Sequence, residues 1–403
     1  MKTVYDAIII GAGPAGSTAA ILLARAGWSV AVIEKHAFPR RKVCGECIAA
    51  PNLPLFDALG IGADFDAIAG PELRRISLFA REEAITADLP AFAGPPRAWG
   101  RVLGRDYLDE LLLRRAADCH VEVWQPWLAK RVTPARDGRS TCEVVDVKSG
   151  ARASLTAPVM IAANGSWEPD PFEGGSRRRA HRDSDLFAFK GNYHGASLAP
   201  GLLPVLAFPG GYGGLALGDH ARLTFAFCLR RDRLRRCRER HPGLPAAIAA
   251  RAYVQRHVAG ARDALAGAEP EASWLSTGPI RPGVRAPWRG NGVFAIGNAA
   301  GEAHPILGEG ISMAVQSAWL LCELLIAHGR SPMSHAAEVG RDYEARWRRC
   351  FTHRIRFAAA FAHTAMRPGS TTVVLSLLRR WPGWLTRGAR AGGKVRPFLQ
   401  RVG

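Results

Sequence analysis

The sequence has few of the features that mark metal-binding, disulfide-stabilised or membrane-spanning proteins. Its 8 cysteines are scattered, and only Cys44 and Cys47 form a C-x-x-C pair. A tetrahedral zinc site needs a second pair of ligands at suitable spacing, and a disulfide framework is not expected in a chain this long without a secretory signal. The longest apolar stretch, 311–327, is interrupted by polar residues, which favours a buried helix over a membrane span. We therefore expect no metal and a reducing, cytoplasmic environment.

Acidic residues are also scarce, most of all near the C-terminus. The net charge is +19, and residues 341–403 contain 14 Lys and Arg against 2 Asp and Glu. This balance favours an acidic protein partner, an anionic lipid surface or steering of NADPH, and a solvated arginine-rich surface explains it equally well. The basic residues fit no nucleic-acid-binding signature, so no nucleic-acid partner is expected. Residues 373–378 with Trp381 and Trp384 predict a basic amphipathic helix, which would either lie at the inner membrane surface or dock onto its own domain.

The N-terminus has the pattern of a dinucleotide-binding βαβ unit. Residues 4–10 form an apolar run of the kind that a strand buried on both faces requires. In the following Gly11-Ala-Gly13-Pro-Ala-Gly16, the three glycines permit a tight turn, a close approach of backbone to pyrophosphate, and close packing of helix on strand. Glu34 ends the second predicted strand, where a carboxylate can accept from ribose hydroxyls and disfavours a 2′-phosphate. FAD or NAD is therefore expected as the bound dinucleotide.

A second glycine-rich segment favours FAD. Gly297-Asn-Ala-Ala-Gly301 follows an apolar strand and continues through Pro305, Gly308 and Gly310 into a helix. Small residues here would let backbone and a helix N-terminus approach the isoalloxazine ring and its ribityl chain, and the helix end would stabilise negative charge on the reduced ring. A loop that serves packing alone is the alternative.

Together these motifs resemble the flavoprotein superfamily of aromatic hydroxylases, geranylgeranyl reductases and flavin-dependent halogenases, over roughly residues 4–330. The resemblance implies an α/β fold, α+β overall, in which a Rossmann-type FAD-binding domain with a parallel sheet is interleaved with an antiparallel-sheet substrate domain and followed by a helical C-terminus. The implied boundaries are FAD-binding segments 1–75, 101–170 and 277–330, substrate segments 76–100 and 171–276, and a basic helical region 331–403.

Three further segments carry the resemblance and imply contacts with the flavin. Arg105 matches the arginine of the family's R-x-x-L-D segment, and Lys42-Val-Cys44-Gly45 matches a K-x-C-G segment of the reductase-like branch. Asn164 and Asn298 stand where the family usually has Asp, so these contacts carry less charge. The cofactor-binding residues expected from all motifs are Gly11, Gly13, Pro14, Ala15, Gly16, Glu34, Lys35, Lys42, Cys44, Gly45, Arg105, Asn164, Gly165, Gly297, Asn298, Pro305, Gly308, Gly310 and Ile311.

The candidate catalytic residues are Glu302, His304 and Cys44. His304 would act as a general acid or base, or would order the loop by hydrogen bonding, and Cys44 would be redox-active or simply packed. Glu309 could cap the following helix. Tyr212 and neighbouring apolar residues of 185–227 are candidates for the substrate cavity or for plain core.

The resemblance implies an FAD-dependent monooxygenase that uses transiently bound NAD(P)H and O₂ to hydroxylate an aromatic or phenolic substrate through a flavin C4a-hydroperoxide. Segments 44–47, 164–169, 209–214 and 278–283 resemble a bacterial subgroup associated with type III polyketide synthases, which implies an alkylresorcinol-type lipid substrate and a role in secondary metabolism. The alternatives are a geranylgeranyl-reductase-like enzyme acting on C=C bonds and a flavoprotein that modifies a side chain of a partner protein, as in tryptophylquinone maturation. Halogenation is not expected, because none of the 11 tryptophans lies in the W-x-W-x-I-P segment of halogenases.

Overall fold

The computed structural model describes residues 3–93, 97–134, 138–166, 171–172, 180–329, 335–394 and 398. In these residues the helices are α1 (Pro14–Arg25), α2 (Leu53–Leu59), α3 (Gly62–Ile68), α4 (Arg105–Asp118), α5 (Arg231–Arg240), α6 (Ala246–His257), α7 (Ala259–Ala264), α8 (Gly310–Ala327), α9 (Ala336–Ala365), α10 (Pro368–Arg380) and α11 (Gly383–Ala391). The strands are β1 (Ala7–Ile10), β2 (Val30–Ile33), β3 (Cys47–Ile48), β4 (Arg75–Ala80), β5 (Glu83–Asp88), β6 (Arg101–Val102), β7 (Glu122–Trp124), β8 (Trp127–Pro134), β9 (Ser140–Asp146), β10 (Arg152–Ala157), β11 (Val159–Ala162), β12 (Leu186–His194), β13 (Leu202–Phe208), β14 (Gly211–Leu217), β15 (Leu223–Arg230), β16 (Glu269–Pro270), β17 (Leu275–Ile280), β18 (Gly283–Val284), β19 (Val293–Ala295) and β20 (Gly301–Glu302).

The first core element is a parallel five-stranded sheet in the order β19-β11-β1-β2-β7. Every residue of β1, β2 and β11 is buried, as expected for strands covered by helices on both faces. The chain leaves β1 toward β2 on one side, and β11 lies on the other side, so β1 borders a topological switch point. Ligands of open α/β sheets bind at the carboxyl ends of strands at such a point, and Gly11 lies there.

The second core element is a larger sheet in the order β16-β12-β15-β14-β13-β4-β5, with β17 also paired to β12. Its pairings are antiparallel except for β13 with β4. Strands β4 and β5 fall in the predicted 76–100 segment, apart from Arg75. The other strands of the sheet fall in the predicted 171–276 segment, except that β17 continues past it to Ile280. An aromatic cluster from this sheet packs against α6 and α7.

The C-terminal helices cover the other side of the larger sheet. Helix α9 packs against α8, and the inner faces of α10 and α11 pack on β4 and β5 through Leu375, Leu378, Leu385 and Ala389. The Thr386 hydroxyl donates to the Asp88 carbonyl at 2.7 Å. Helix α8 is, among the described helices, the one long and apolar enough to cross a bilayer by composition, but 72% of it is buried inside the protein. It is therefore placed as a core helix.

The predicted fold class is confirmed, with two local differences. Residues 185–230 have a strand pattern in the sequence that the glycines of 210–218 are expected to interrupt, but in the structure 211–217 form β14. Glycine weakens a strand that stands alone, but β13 and β15 flank this one on both sides. The predicted amphipathic helix is two helices, because α10 ends at Arg380 and Pro382 precedes the start of α11.

Candidate active site

The three motif glycines in the turn after β1 differ in the physical reason for which each position is a glycine. Gly11 has φ +106, and a Cβ there would lie 2.5 Å from the Ala163 carbonyl oxygen. A Cβ on Gly16 would lie 1.8 Å from the Gly11 carbonyl oxygen, so Gly16 is required for close packing of α1 on the turn. Gly13 has φ −72, which any residue can adopt, and a Cβ there would meet only two arginine nitrogens, at 3.6 and 4.0 Å. Nothing in the protein's own packing explains glycine at position 13, whereas a ligand that lies against its backbone does.

The two arginines beside Gly13 form part of a basic cluster at the N-terminus of α1. Arg105 makes a bidentate pair with the fully buried Asp109 at 2.7 and 2.7 Å. Arg40 lies 3.4 Å from Asp109 and 3.7 Å from Glu34. Burial, together with these two guanidinium groups, lowers the pKa of Lys42 to about 8. Three cationic side chains beside the positive end of a helix make a site for a diphosphate.

A cavity of about 510 Å³ extends from this cluster along the carboxyl ends of β1 and β2. Glu34 lies in its wall, where its Oε2 accepts from Ala12 N at 3.0 Å and its Oε1 from His36 N at 2.9 Å. Each carboxylate oxygen has a second lone pair for a ribose hydroxyl. Asn164 also lines this cavity, and its buried Oδ1 has no hydrogen-bond partner among the described residues. The cavity has the position and polar groups for the adenosine half of FAD.

A second cavity, of about 400 Å³, lies where the two sequence motifs meet and continues under the larger sheet. Together the two cavities bring to their walls every predicted site residue except Gly16, which packs the helix, and His304. The predicted site residues that line the second cavity are Gly13, Pro14, Ala15, Lys42, Cys44, Gly45, Arg105, Gly165, Gly297, Asn298, Glu302, Pro305, Gly308, Gly310 and Ile311. Those of the first are Gly11, Gly13, Glu34, Lys35, Lys42 and Asn164.

A hydrogen-bonded group of four polar side chains includes three that line the second cavity, namely Ser166, Asn298 and Glu302. Glu302 Oε2 accepts from Arg285 at 3.1 Å, and Asn298 Nδ2 donates to Ser166 Oγ at 2.9 Å and to Glu302 Oε1 at 3.4 Å. Burial raises the pKa of Glu302, an effect that Arg285 opposes. Arg285 also donates to the Asn298 carbonyl oxygen. Asn298, predicted to contact the ribityl chain, is thus held in place by protein groups on the cavity wall.

The two cysteines of the C-x-x-C pair are free thiols with different environments. Cys44 lies in the cavity wall, and its sulfur accepts from Glu46 N at 3.3 Å. Burial raises the pKa of Cys47 to about 11, so this thiol remains protonated at neutral pH. The redox role predicted for Cys44 remains a prediction.

His304 lies behind the cavity wall. Its Nδ1 is 2.9 Å from the hydroxyl of Tyr212, which does line the cavity. Burial, together with the neighbouring His363, lowers the pKa of His304 to about 4. The His304 and His363 rings are 5.7 Å apart, and His363 is exposed. Any acid–base role of His304 would therefore operate through Tyr212, while the loop-ordering alternative requires only the hydrogen bond.

Glu309 precedes α8 but makes no side-chain cap. Its carboxylate instead pairs with the buried Arg354 of α9 and lies 3.6 Å from Lys394. Arg354 also donates to Gln316 at 2.7 Å. The predicted capping role is therefore wrong, because two cations from the C-terminal region compete for the carboxylate and fix α9 against the start of α8.

The sequence analysis did not identify three polar residues that meet at the site, namely Glu46, Lys190 and Thr224. Glu46, whose φ is +60, accepts from Lys190, from Arg105 N at 2.8 Å and from Thr224 at 2.6 Å, and it is 1% exposed. Lys190 and Thr224 come from β12 and β15, far away in sequence. A charged residue within an otherwise apolar strand pattern, as Lys190 is, was the one available indication.

The described residues fit FAD. Gly13 leaves space against the backbone, Arg40, Lys42 and Arg105 supply positive charge for the diphosphate, and Asn164 offers an unpartnered acceptor. The first cavity, of about 510 Å³, and the second cavity, of about 400 Å³, both border this basic cluster. The roles of the individual residues in binding remain predictions.

Comparisons with known proteins agree with this geometry. Residues 4–179 match the family model described as an FAD binding domain. The menaquinone reductase of Mycolicibacterium smegmatis is 31% identical over 166 residues, a stretch that covers 38% of this chain and 40% of that protein. The structure of the myxobacterial chondrochloren halogenase has a TM-score of 0.78 at 20% identity and covers 99% of this chain and 93% of its own. A geranylgeranyl bacteriochlorophyll reductase-like protein of Thermoplasma acidophilum has a TM-score of 0.69 at 19% identity, covering 92% and 89%.

The curated relative is thus matched over about 40% of its length, and the structural likenesses extend over nearly the whole chain at an identity that shows the fold alone. The βαβ turn, the second glycine-rich segment and the match to the FAD binding domain point to one conclusion. Residues 4–179 match an FAD binding domain, and the chain as a whole has the fold of the flavin-dependent proteins to which it is similar.

Proposed function

We propose that this protein is an NAD(P)H-dependent flavoprotein monooxygenase that hydroxylates a phenol carrying an apolar chain, of the alkylresorcinol type. The observation that carries the proposal is the second cavity, which joins the glycine-rich segment to an apolar chamber with one phenolic hydroxyl, that of Tyr212, in its wall. The chamber's other lining residues include Ile76, Leu78, Val205, Leu215, Phe361 and Leu378. Such a chamber favours an apolar chain and excludes water from the reacting groups.

Gly13, Lys42, Arg105, Asn298 and Gly310 would hold FAD in place. FAD, when bound, supplies the redox chemistry by taking two electrons from NAD(P)H and activating O₂. Among the described residues one parallel sheet of the dinucleotide-binding kind is present, so NAD(P)H would bind transiently.

Tyr212 supports the proposal because it can move a proton between the cavity and solvent. A phenol attacks an electrophilic oxygen more readily once its own O–H proton is withdrawn. Tyr212 Oη can accept that hydrogen bond while it donates its proton to His304 Nδ1, which is free to accept because the low pKa keeps His304 neutral. Neutral His304 carries its own proton on Nε2, so each proton that it accepts on Nδ1 would be matched by release of the Nε2 proton on the side of the exposed His363.

The test measures NAD(P)H oxidation, O₂ uptake and product with alkylphenols of increasing chain length. We expect oxygen-dependent turnover and one atom of ¹⁸O from ¹⁸O₂ in the product. Tyr212→Phe should reduce hydroxylation with long-chain phenols about 100-fold or more, the lower range for a general acid or base, without changing FAD content. Leu203→Val serves as the control, because Leu203 is a buried residue of the same cavity that belongs to a different hydrophobic cluster from Tyr212. Turnover that proceeds equally without O₂ would refute the proposal.

A second candidate is a reductase of C=C bonds in an isoprenoid lipid. It is favoured by the apolar cavity, by the K-x-C-G segment at Lys42–Gly45 and by the relative named menaquinone reductase. The same assay separates the two, because a reductase oxidises NAD(P)H with an unsaturated lipid under anaerobic conditions and incorporates no ¹⁸O. Halogenation stays unsupported, since the chain has no W-x-W-x-I-P segment.

A further inference from the structure

We propose that α10 and α11 form a docking surface for an anionic phospholipid bilayer, through which a lipidic substrate enters the apolar cavity. The part that concerns the substrate rests on the proposed function, whereas the docking itself does not. Both helices have two faces. The inner face is buried on the larger sheet through Leu375, Leu378 and Leu385. The outer face exposes Val373, Trp381 and Trp384 at 61%, 51% and 47%.

These three outer residues, here called the tryptophan face, are unusual for a surface exposed to water. Trp381 and Trp384 stack with ring centroids 5.8 Å apart and an interplanar angle of 16°. Tryptophan is enriched where proteins meet the headgroup region of a membrane, because its ring is apolar and its N–H is polar. The inner contacts already hold both helices in place, so folding does not require these side chains.

The cavity reaches the surface at this face. Trp384 is half-exposed and also lines the cavity. Its companions in the cavity wall are Phe361 of α9, Val374 and Leu378 of α10, and Gly388 of α11. A substrate that leaves a bilayer beside Trp384 would therefore meet an apolar path toward the glycine-rich segment and would not cross water.

The charge around the tryptophan face selects an anionic surface. Residues 345–403 contain no Asp or Glu. Arg380, Arg387 and Arg390 are exposed and form no ion pair within the described part of the chain, whereas Arg379 is held by Glu83 at 2.6 Å. Basic side chains near an anionic leaflet each contribute about 1 kcal/mol, or about fivefold in partitioning. Apolar anchors and unpaired arginines on one face fit a bilayer better than a soluble acidic protein, which the charge alone would also suit.

Sedimentation with vesicles tests the docking without substrate. The FAD-loaded full chain should bind vesicles of phosphatidylcholine with phosphatidylglycerol, bind pure phosphatidylcholine far less, and dissociate as salt is raised. Arg380→Glu with Arg387→Glu should weaken binding at least about 25-fold, as expected for two lost basic contacts. The matched control is Arg236→Glu with Arg238→Glu on α5, which makes the same change of charge at two exposed arginines elsewhere.

The apolar contribution has its own pair of variants. Trp381→Ser should weaken vesicle binding, whereas Leu244→Ser, at a site with 46% exposure outside this surface, should not. Equal losses in test and control variants, or equal binding to neutral and anionic vesicles, would overturn the proposal. Failure to bind any vesicle would overturn it too and would leave the face to a soluble acidic partner. Vesicle binding without turnover of any long-chain phenol would refute only the proposed function.

Discussion

Gly13 and Gly16 are three residues apart in one motif, and the structure predicts opposite consequences for replacing each by alanine. A Cβ on Gly16 would lie 1.8 Å from a backbone carbonyl oxygen, whereas real Cβ atoms essentially never approach within 3.0 Å. Helix α1 would have to retreat by more than about 1 Å, which we expect to cost about 3 kcal/mol or more, at the upper end of overpacking effects. A Cβ on Gly13 meets nothing closer than 3.6 Å. The Gly13→Ala apoprotein should therefore stay within about 0.5 kcal/mol of the parent.

In contrast to its small effect on the stability of the apoprotein, Gly13→Ala should have a large effect on FAD affinity. The added methyl would occupy the space between the backbone and the diphosphate, so Gly13→Ala should weaken FAD by at least about tenfold, or about 1.4 kcal/mol. Denaturant unfolding of the apoproteins and fluorescence titration with FAD measure the two effects separately. If Gly13→Ala binds FAD as tightly as the parent, or destabilises the apoprotein as much as Gly16→Ala does, the assignment of Gly13 to the ligand is refuted.

Three further predictions concern buried titratable side chains. Glu46→Gln should destabilise the protein by about 3–5 kcal/mol because it leaves the Lys190 ammonium buried without a counter-charge. Adding Lys190→Met should recover part of that loss in a double-mutant cycle. If the effects of the two substitutions simply add, the pairing is contradicted. FAD affinity should fall as pH rises above about 8, where Lys42 loses its proton, by up to tenfold per pH unit, and Lys42→Arg should remove this dependence in a fluorescence titration. The pKa of His304 is about 4 in the folded protein and 6.5 ordinarily, so as pH falls the unfolded chain binds the proton first. The free energy of unfolding should therefore decrease by up to about 3 kcal/mol between pH 6.5 and pH 4. His304→Gln should remove that part of the acid sensitivity when unfolding is measured at several pH values.

The parts of the fold that could be predicted from the sequence are those in which the residues of a short segment restrict their own backbone conformation. The apolar run of β1, the glycines of the turn and Pro14 at the start of α1 each restrict a local backbone, and the structure has strand, turn and helix in that order. The segment from Gly297 to Gly310 acts in the same way. Both motifs reach the second cavity because they follow β1 and β19, which belong to one sheet.

Pairings between distant segments were not predictable in this way. Tyr212 and His304 are 92 positions apart, and their hydrogen bond depends on how β14 meets the loop before α8. The glycines of β14 suggested a break in the strand pattern. A local pattern contains no information about β13 and β15, which pair with β14 on both sides and stabilise it. Glu309 likewise had the right position for a cap, and the partner that displaced this role, Arg354, lies 45 residues away.

Glu46 connects the segment that supplies residues to the second cavity with the larger sheet. Its loop, from Lys42 to Cys47, supplies residues to the second cavity, while its carboxylate fixes the first residue of α4 and reaches two strands of the larger sheet through Lys190 and Thr224. A shift of the sheet would therefore also move Arg105, which lies beside Gly13. Because a buried carboxylate cannot leave such partners without a cost of several kcal/mol, Glu46 couples the position of the N-terminus of α4 to that of the larger sheet. The interleaved order of segments in the chain is what makes that connection possible, since Glu46 lies between β2 of the parallel sheet and β4 of the larger sheet.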